Sequence, residues 1–197
     1  MSDPHLLPLL GTPPPERRDA ARNRELLLDA AKALIERCGA GSVTMDAVAH
    51  AAGVGKGTVF RRYQSREGLM AAVLNHSETE WQNQVMSGPP PLGPGADPWD
   101  RLLAFGRTRL ETTLLHAELI REAGRTGARA GGAYGFTLTH VRYLLTELHV
   151  GGDVPLLATA LLAPLEMPIS EPHELDRFPV DRVYDGWVDL AHRIVGR

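Results

Sequence analysis

The sequence predicts an all-α protein of about nine helices. In several stretches of the 197-residue chain, apolar residues recur at three- and four-residue steps, the spacing that lines one face of a helix. No stretch alternates apolar and polar residues over the length of a strand. Proline- and glycine-rich clusters separate the periodic stretches, as expected of connections between helices.

The chain is expected to begin with a disordered arm and a long first helix. Residues 1–18 contain several prolines and no periodicity, a composition typical of disorder. From Asp19, leucines and alanines recur at helical spacing until "GAG" at 39–41, where glycine ends the helix.

Three short capping signals predict the next three helices. The second helix spans 45–52, with Thr44 as its N-cap and Gly53 ending it. The third helix spans 55–63, and the fourth runs from the cap Ser65 to about Met86.

Further helices are predicted in the second half of the chain. The clearest break is "SGPPPLGPGADP" at 87–98, with eight Pro or Gly in twelve residues. The predicted helices are Trp99 to about Leu115 (continuing or kinking through Ala123), Leu138 to Gly151, Val154 to Leu165, and Pro179 to the C-terminus, with loops at 124–135 and 166–179.

Composition points to a protein of the cytoplasm. The net charge is −3, but residues 1–75 hold ten Lys or Arg against eight Asp or Glu, and 76–197 hold eleven against sixteen. This asymmetry hints at a polyanionic partner for the first part. Cys38 is the only cysteine, so no intrachain disulfide forms and a reducing compartment fits. No apolar run is long enough to span a membrane, and no signal peptide is evident.

The stretch "AGVGKGTVFRRYQSREGL" at 52–69 first has to be tested as a nucleotide-binding loop. In that motif Gly55 and Lys56 would need a glycine at position 50, which is His50. Gly57 stands where a metal-binding hydroxyl is required. The residues before it have a helical rather than a strand pattern, so a nucleotide-binding enzyme is only a remote alternative.

The same stretch meets the requirements of two short helices joined by a tight turn. Ala49 is small enough for the helices to approach where they cross, and Gly53 tolerates a positive φ. Val48, Val54 and Val59 can fill the wedge between them. In such a unit the second helix can enter the major groove of DNA, which is about 12 Å wide.

Polar and basic residues then follow along this second helix. With Gly55 as cap, the free N–H groups of its first turn suit a phosphate. Lys56, Thr58, Arg61 and Arg62 are distributed along it. A merely solvated basic face is the alternative interpretation, and the Ala–Gly–Val turn upstream favours DNA binding.

Residues from about Arg22 to Leu74 resemble the tetracycline-repressor (TetR-type) family of bacterial transcription regulators. The resemblance implies that Thr44 and Lys56 touch the DNA backbone, while Arg66 stands where the family often has a phosphate-binding lysine. Family members usually have tyrosine at Phe60 and phenylalanine at Tyr63, so the two aromatics are exchanged here. The full set of expected DNA contacts is Thr44, Gly55, Lys56, Gly57, Thr58, Phe60, Arg61, Arg62, Tyr63 and Arg66.

The resemblance implies that the protein binds a palindromic operator as a homodimer. The last two helices would form the dimer interface. One helix-turn-helix unit would bind one half-site of the operator, and two such units about 34 Å apart would bind both half-sites. Apolar and aromatic residues of these helices are the candidate interface. They are Leu157, Leu161, Tyr184, Trp187, Val188 and Ala191.

Three regions are therefore expected: the arm 1–18, a helix-turn-helix DNA-binding domain at 19–67, and a helical ligand-binding and dimerisation domain at 68–197. The last would hold a small-molecule effector whose binding lowers DNA affinity, which makes a repressor the preferred function. Candidate ligand contacts are Trp81, Phe105, Arg109, His140 and Tyr143.

No catalytic, metal or cofactor motif is recognisable, so we expect no enzyme activity. The histidines lack the spacing of metal ligands. The remaining alternative of a different class is a helical small-molecule carrier without DNA affinity.

Overall fold

The computed structural model describes residues 15–123, 131–170 and 178–196. All regular elements in these ranges are helical, which confirms the predicted fold class. Eight α-helices and one short 3-10 turn, Ala40–Ser42, occur in the described ranges. The α-helices are α1 Pro15–Cys38, α2 Met45–Ala51, α3 Lys56–Tyr63, α4 Arg66–Ser87, α5 Pro98–Ala123, α6 Gly131–Glu147, α7 Val154–Ser170 and α8 Val180–Val195.

Several boundaries differ from those expected. Helix α1 begins at Pro15, inside the predicted arm, because proline suits the first turn of a helix; residues 1–14 lie outside the described residues. Part of each predicted loop is helical: 131–135 belong to α6 and 166–170 to α7, while 124–130 and 171–177 are not described. Glycine in a helix costs about 1 kcal/mol relative to alanine, and the burial of Ala133 at the start of α6 helps to offset that cost. Helix α6 ends at Glu147, before the predicted Gly151.

Helices α1–α3 form a compact head with the first half of α4. Gly39, with φ of 77°, ends α1, and its N–H donates to the Ile35 carbonyl at 2.8 Å. The head also buries Leu119 and Ala123 from the end of α5. The predicted boundary near residue 67 therefore crosses a shared core.

Helix α5 is the centre of the larger helical body and packs against α4, α6, α7 and α8. Gly106 allows α5 to approach α8 closely, because a Cβ atom at position 106 would lie 2.2 Å from Cη2 of Trp187. The Trp187 indole N–H donates to the Leu161 carbonyl at 2.8 Å, so α8 is fixed to α7 as well. No helix in the described ranges is both long and apolar enough to cross a membrane.

Candidate DNA interface and effector cavity

The two short helices of the head form the unit that the sequence predicts. Oγ1 of Thr44 accepts a hydrogen bond from the Ala47 N–H at 3.1 Å and caps α2. Gly53 has φ of 66°, and the Val54 N–H after it donates to the Ala49 carbonyl at 3.0 Å. A helix rather than a strand precedes Gly55, which excludes the nucleotide-binding loop.

The outer face of α3 is open to solvent and basic. Lys56, Arg61 and Arg62 are exposed along it, and Thr58 is half-buried. Nothing would lie within 4 Å of a Cβ atom at Gly55 or Gly57, so the first turn has open space around its backbone. A phosphate or a groove wall can therefore approach this turn closely.

Lys56 makes two side-chain contacts in the free protein. Its ammonium forms an ion pair with Asp46 of α2 at 2.6 Å and lies 5.6 Å from the ring centre of Phe60. Both charged groups are well exposed. Because DNA is a polyanion, a phosphate would compete with Asp46 for this lysine.

The two exchanged aromatics lie in different environments. Phe60 is 41% exposed on the open face of α3. Tyr63 is half-buried, and its buried hydroxyl has no hydrogen-bond partner among the described residues. This burial raises the pKa of the Tyr63 phenol. The hydroxyl is therefore buried in the free protein, and a DNA contact by Tyr63 would have to use the exposed part of its side chain.

Arg66 faces the fold and not the surface beside α3. Its Nε and Nη2 donate to the carbonyls of Val43 and Ala40 at 2.9 and 2.6 Å, and Nη1 donates to Glu122 at 2.8 Å. The guanidinium already bonds two carbonyls and one carboxylate, so a phosphate contact by Arg66 would require it to leave these partners.

Comparison with known proteins agrees with this geometry. Residues 27–73 match the model of the family described as bacterial regulatory proteins, tetR family. Residues 27–73 are therefore similar to the tetR family. The matched segment contains α2, α3 and the ion pair of Lys56. No curated protein sequence matches the chain at a significant level.

The described part of the chain has the fold of solved structures described as TetR-family regulators. One, described as a TetR-family transcriptional regulator from Rhodococcus sp., is 16% identical, with a TM-score of 0.59 over 89% of this chain and 99% of that one. A TetR-like regulator from Rhodococcus sp. RHA1 is 20% identical, with a TM-score of 0.52 over 89% and 97%. The regulator FadR from Bacillus subtilis, solved with stearoyl-CoA, is 13% identical, with a TM-score of 0.56 over 88% and 98%.

Behind the tetR-family segment, α4, α5 and α6 enclose a partly open space that we call the effector cavity. Its volume is about 480 Å³, within the range of small-molecule sites. The lining is mostly apolar and aromatic. It consists of Val85, Met86, Pro94, Arg101, Phe136, Thr139, His140 and Tyr143.

Two of the five residues expected to bind a ligand line this cavity, namely His140 and Tyr143. Phe105 and Arg109 are fully buried in the core. Trp81 instead lines a separate groove of about 440 Å³ between α1, α4 and α5. Ring contacts nevertheless join three of these residues, since Phe105 lies 5.2 Å from Trp81 in a tilted pair and 5.3 Å from His140 in a stacked one, between ring centres.

The charge of Arg109 is neutralised within the chain. Its Nε donates to Glu166 at 2.9 Å and its Nη1 to Glu78 at 3.2 Å. His116 approaches the same Glu78 carboxylate at 3.4 Å. Two carboxylates around one guanidinium form an ion-pair network within the chain, so a ligand contact by Arg109 would have to compete with Glu78 and Glu166.

Arg101 is a charged cavity residue that the sequence analysis did not single out. It lies two turns before Arg109 on α5 and is only 8% exposed. Its guanidinium is 5.9 Å from the ring centre of Tyr143. Burial and the nearby positive charge of Arg101 lower the pKa of His140 to about 4. The imidazole is therefore neutral at pH 7.

The expected dimer contacts fall into two groups. Leu161, Trp187 and Ala191 are buried inside the chain, so they are not available to a partner. Leu157, Tyr184 and Val188 are half-buried. The apolar periodicity of α8 faces α5 and α7, which explains why it resembled an interface in the sequence.

One group of potential metal ligands occurs in the described part of the chain. Asp29, His76 and Glu80 bring ligand atoms within 4.8 Å of one another. His76 lies 2.9 Å from Asp29, and Lys32 already pairs with Glu80 at 2.8 Å. This arrangement is that of a surface ion-pair network.

Proposed function

We propose that this protein is a transcriptional repressor that binds a palindromic DNA operator as a homodimer and is released by a small-molecule effector. The observation that carries the proposal is the open, basic face of α3 in a tetR-family segment. Double-stranded DNA offers the phosphates and groove edges that this face suits. The protein would act in the cytoplasm, as a binding protein and not as an enzyme.

Each residue of the proposed DNA contact has a defined role. Lys56 would bind a backbone phosphate after leaving Asp46, and Thr44, Gly55 and Gly57 would surround the same strand. Arg61 and Arg62 would reach base edges, where arginine pairs well with guanine. Thr58 and Phe60 would contact the groove wall, and the methyl group of thymine is a suitable partner for an exposed phenylalanine.

A dimer is proposed because one short helix contacts too few base pairs for specific binding. Leu156 is 65% exposed on α7, and Ala160 and Ala163 are exposed on the same face of that helix. With half-buried Leu157 and Val188 beside it, this surface could pack against its symmetry mate.

Effector control is proposed because one helix connects both parts. Arg101 near the start of α5 lines the effector cavity, and Leu119 near its end is buried in the head. An effector that binds more tightly to one placement of α5 would shift the spacing between the two DNA-binding heads of the dimer. It would weaken DNA binding by as much as its own affinity differs between the two placements. The fold accepts small molecules elsewhere, as in FadR with stearoyl-CoA.

Selection of bound duplexes from a random pool tests the proposal. We expect a two-fold palindrome whose half-site centres lie about one helical turn, 34 Å, or a multiple of it apart. The Arg61→Ala variant should lose about 1–3 kcal/mol on that site and relax one base position in each half. Arg142→Ala, which removes an exposed arginine from α6, is the matched control and should select the same sequence.

The result also separates the alternatives. No enrichment by the wild-type protein would favour a helical ligand carrier without DNA affinity. A single half-site would contradict the dimer, and higher transcription from a promoter carrying the selected site would contradict repression.

A further inference from the structure

The effector cavity contains a buried positive charge that no carboxylate among the described residues neutralises. In the described part of the chain, Arg101 forms no ion pair with a carboxylate, whereas Arg109 has two. The acceptors of Arg101 are the carbonyls of Leu92 at 3.5 Å and Val85 at 3.4 Å. These distances lie at the long end of the range for a hydrogen bond.

A buried guanidinium in this state favours an anion. Burial of a charge costs free energy unless an opposite charge and good hydrogen bonds accompany it. Arginine binds a planar carboxylate through two parallel N–H bonds. Since the cavity gives access to Arg101, the missing partner can be supplied by a ligand.

The remaining walls indicate an apolar, flat ligand body. Phe136 and His140 are parallel to within 7°, and Tyr143 lies 6.1 Å from His140 between ring centres. Such rings pack well against another flat ring system. Nε2 of His140 is buried without a hydrogen-bond partner among the described residues. It can therefore bond a second polar atom of the ligand.

We propose that the effector is an aromatic carboxylic acid whose carboxylate binds Arg101 and whose ring stacks on Phe136 and Tyr143. Only the regulatory role of this ligand rests on the proposed function. The binding site itself stands on the charge and lining of the cavity.

Calorimetry on the full-length protein tests the charge requirement directly. The probes are phenylacetate, naphthoate and biphenyl carboxylate, each compared with its neutral carboxamide of the same shape. We expect at least one acid to bind about tenfold or more tightly than its amide, because a charge-assisted pair to Arg101 is lost in the amide. Equal affinity for every acid and amide, or no binding of any acid, overturns the proposal.

Variants then locate the carboxylate. Arg101→Gln should abolish the preference for acid over amide, and Arg101→Lys should retain part of it. Arg142→Gln, an exposed arginine on α6, should leave the preference unchanged. A preference that survives Arg101→Gln overturns the assignment. If circular dichroism shows that Arg101→Gln does not fold, the comparison of acid with amide on the wild-type protein and on Arg101→Lys still tests the assignment.

Failure here and failure of the proposed function give different results. A protein that selects a palindrome but shows no acid preference binds DNA and refutes the carboxylate site. A protein that prefers acids through Arg101 but selects no duplex has the site without the proposed function. Acid binding that leaves operator affinity unchanged confirms the site and contradicts its role as an effector site.

Discussion

Nη1 of Arg66 donates a hydrogen bond to Oε2 of Glu122 at 2.8 Å, so an ion pair joins the first residue of α4 to the last turn of α5. Glu118, one turn earlier, accepts a hydrogen bond from the N–H of Ala40 in the turn between α1 and α2. The end of α5 therefore holds the turn that positions the DNA-binding helices. A movement of α5 would reach the head directly through these contacts.

Arg66→Ala should therefore lower stability without removing a phosphate contact. The substitution leaves the buried carbonyl of Ala40 and the carbonyl of Val43 without this donor, at a cost of about 1–3 kcal/mol. Urea unfolding measures the loss. The slope of log affinity for DNA against log salt should stay at the wild-type value.

Lys56→Ala is the matched comparison for that measurement. Loss of a true phosphate contact should reduce the salt slope by about one with little change in stability. A reduced slope in Arg66→Ala as well would show that its guanidinium leaves Glu122 and binds DNA.

Asp46→Asn should tighten DNA binding. The change releases Lys56 from its ion pair at 2.6 Å and removes a negative charge beside α3. Because the pair is exposed and screened, we expect a gain of about two- to fivefold, equal on specific and scrambled duplexes. Mobility shifts at fixed salt measure it, with Asp185→Asn on α8 as the control. Unchanged affinity would mean that Lys56 does not contact the backbone.

Tyr63→Phe should leave stability unchanged or raise it by up to about 1 kcal/mol. The Tyr63 hydroxyl is buried and has no hydrogen-bond partner among the described residues, so its removal relieves a desolvation cost and breaks none of the bonds described. Denaturant unfolding checks this, and Tyr134→Phe at an exposed site should have no effect. A loss above about 1 kcal/mol would show that the hydroxyl is hydrogen-bonded in solution.

The local signals in the head predict its two short helices and the turn between them. The caps Thr44 and Ser65 and the turn glycine Gly53 all occur where the sequence places them. These signals act between neighbours in the chain, so sequence spacing determines them. In α6, glycines at 131–135 predicted a loop because their helix cost is local, whereas the packing that offsets it comes from distant residues.

The body shows the limit of such reasoning more clearly. Arg101 and Arg109 lie on the same helix, eight residues apart, and nothing in their neighbourhood along the chain distinguishes them. Glu78 and Glu166 neutralise only Arg109 because α4 and α7 bring them there. The choice of ligand arginine depends on these long-range ion pairs. The interface prediction failed at Trp187 for the same reason, since the apolar face of α8 is covered by its own chain.

The pKa of His140, lowered to about 4 by burial and by Arg101, predicts a loss of stability in acid. Between pH 6.5 and 4 the unfolded histidine binds a proton and the folded one does not, so the free energy of unfolding falls as the pH falls. For this shift the loss between pH 7 and pH 5 is about 2 kcal/mol. Urea unfolding of the wild-type protein and of His140→Gln at both pH values isolates it.

The difference between the two proteins is the decisive quantity, because other groups titrate in the same range. His140→Gln should lose about 2 kcal/mol less than the wild type on going from pH 7 to pH 5, whereas His50→Gln, at an exposed position on α2, should follow the wild type. A bound carboxylate beside His140 would favour its protonated form and reduce the acid sensitivity. Equal losses in wild type and His140→Gln would show that this imidazole ionises normally in the folded protein.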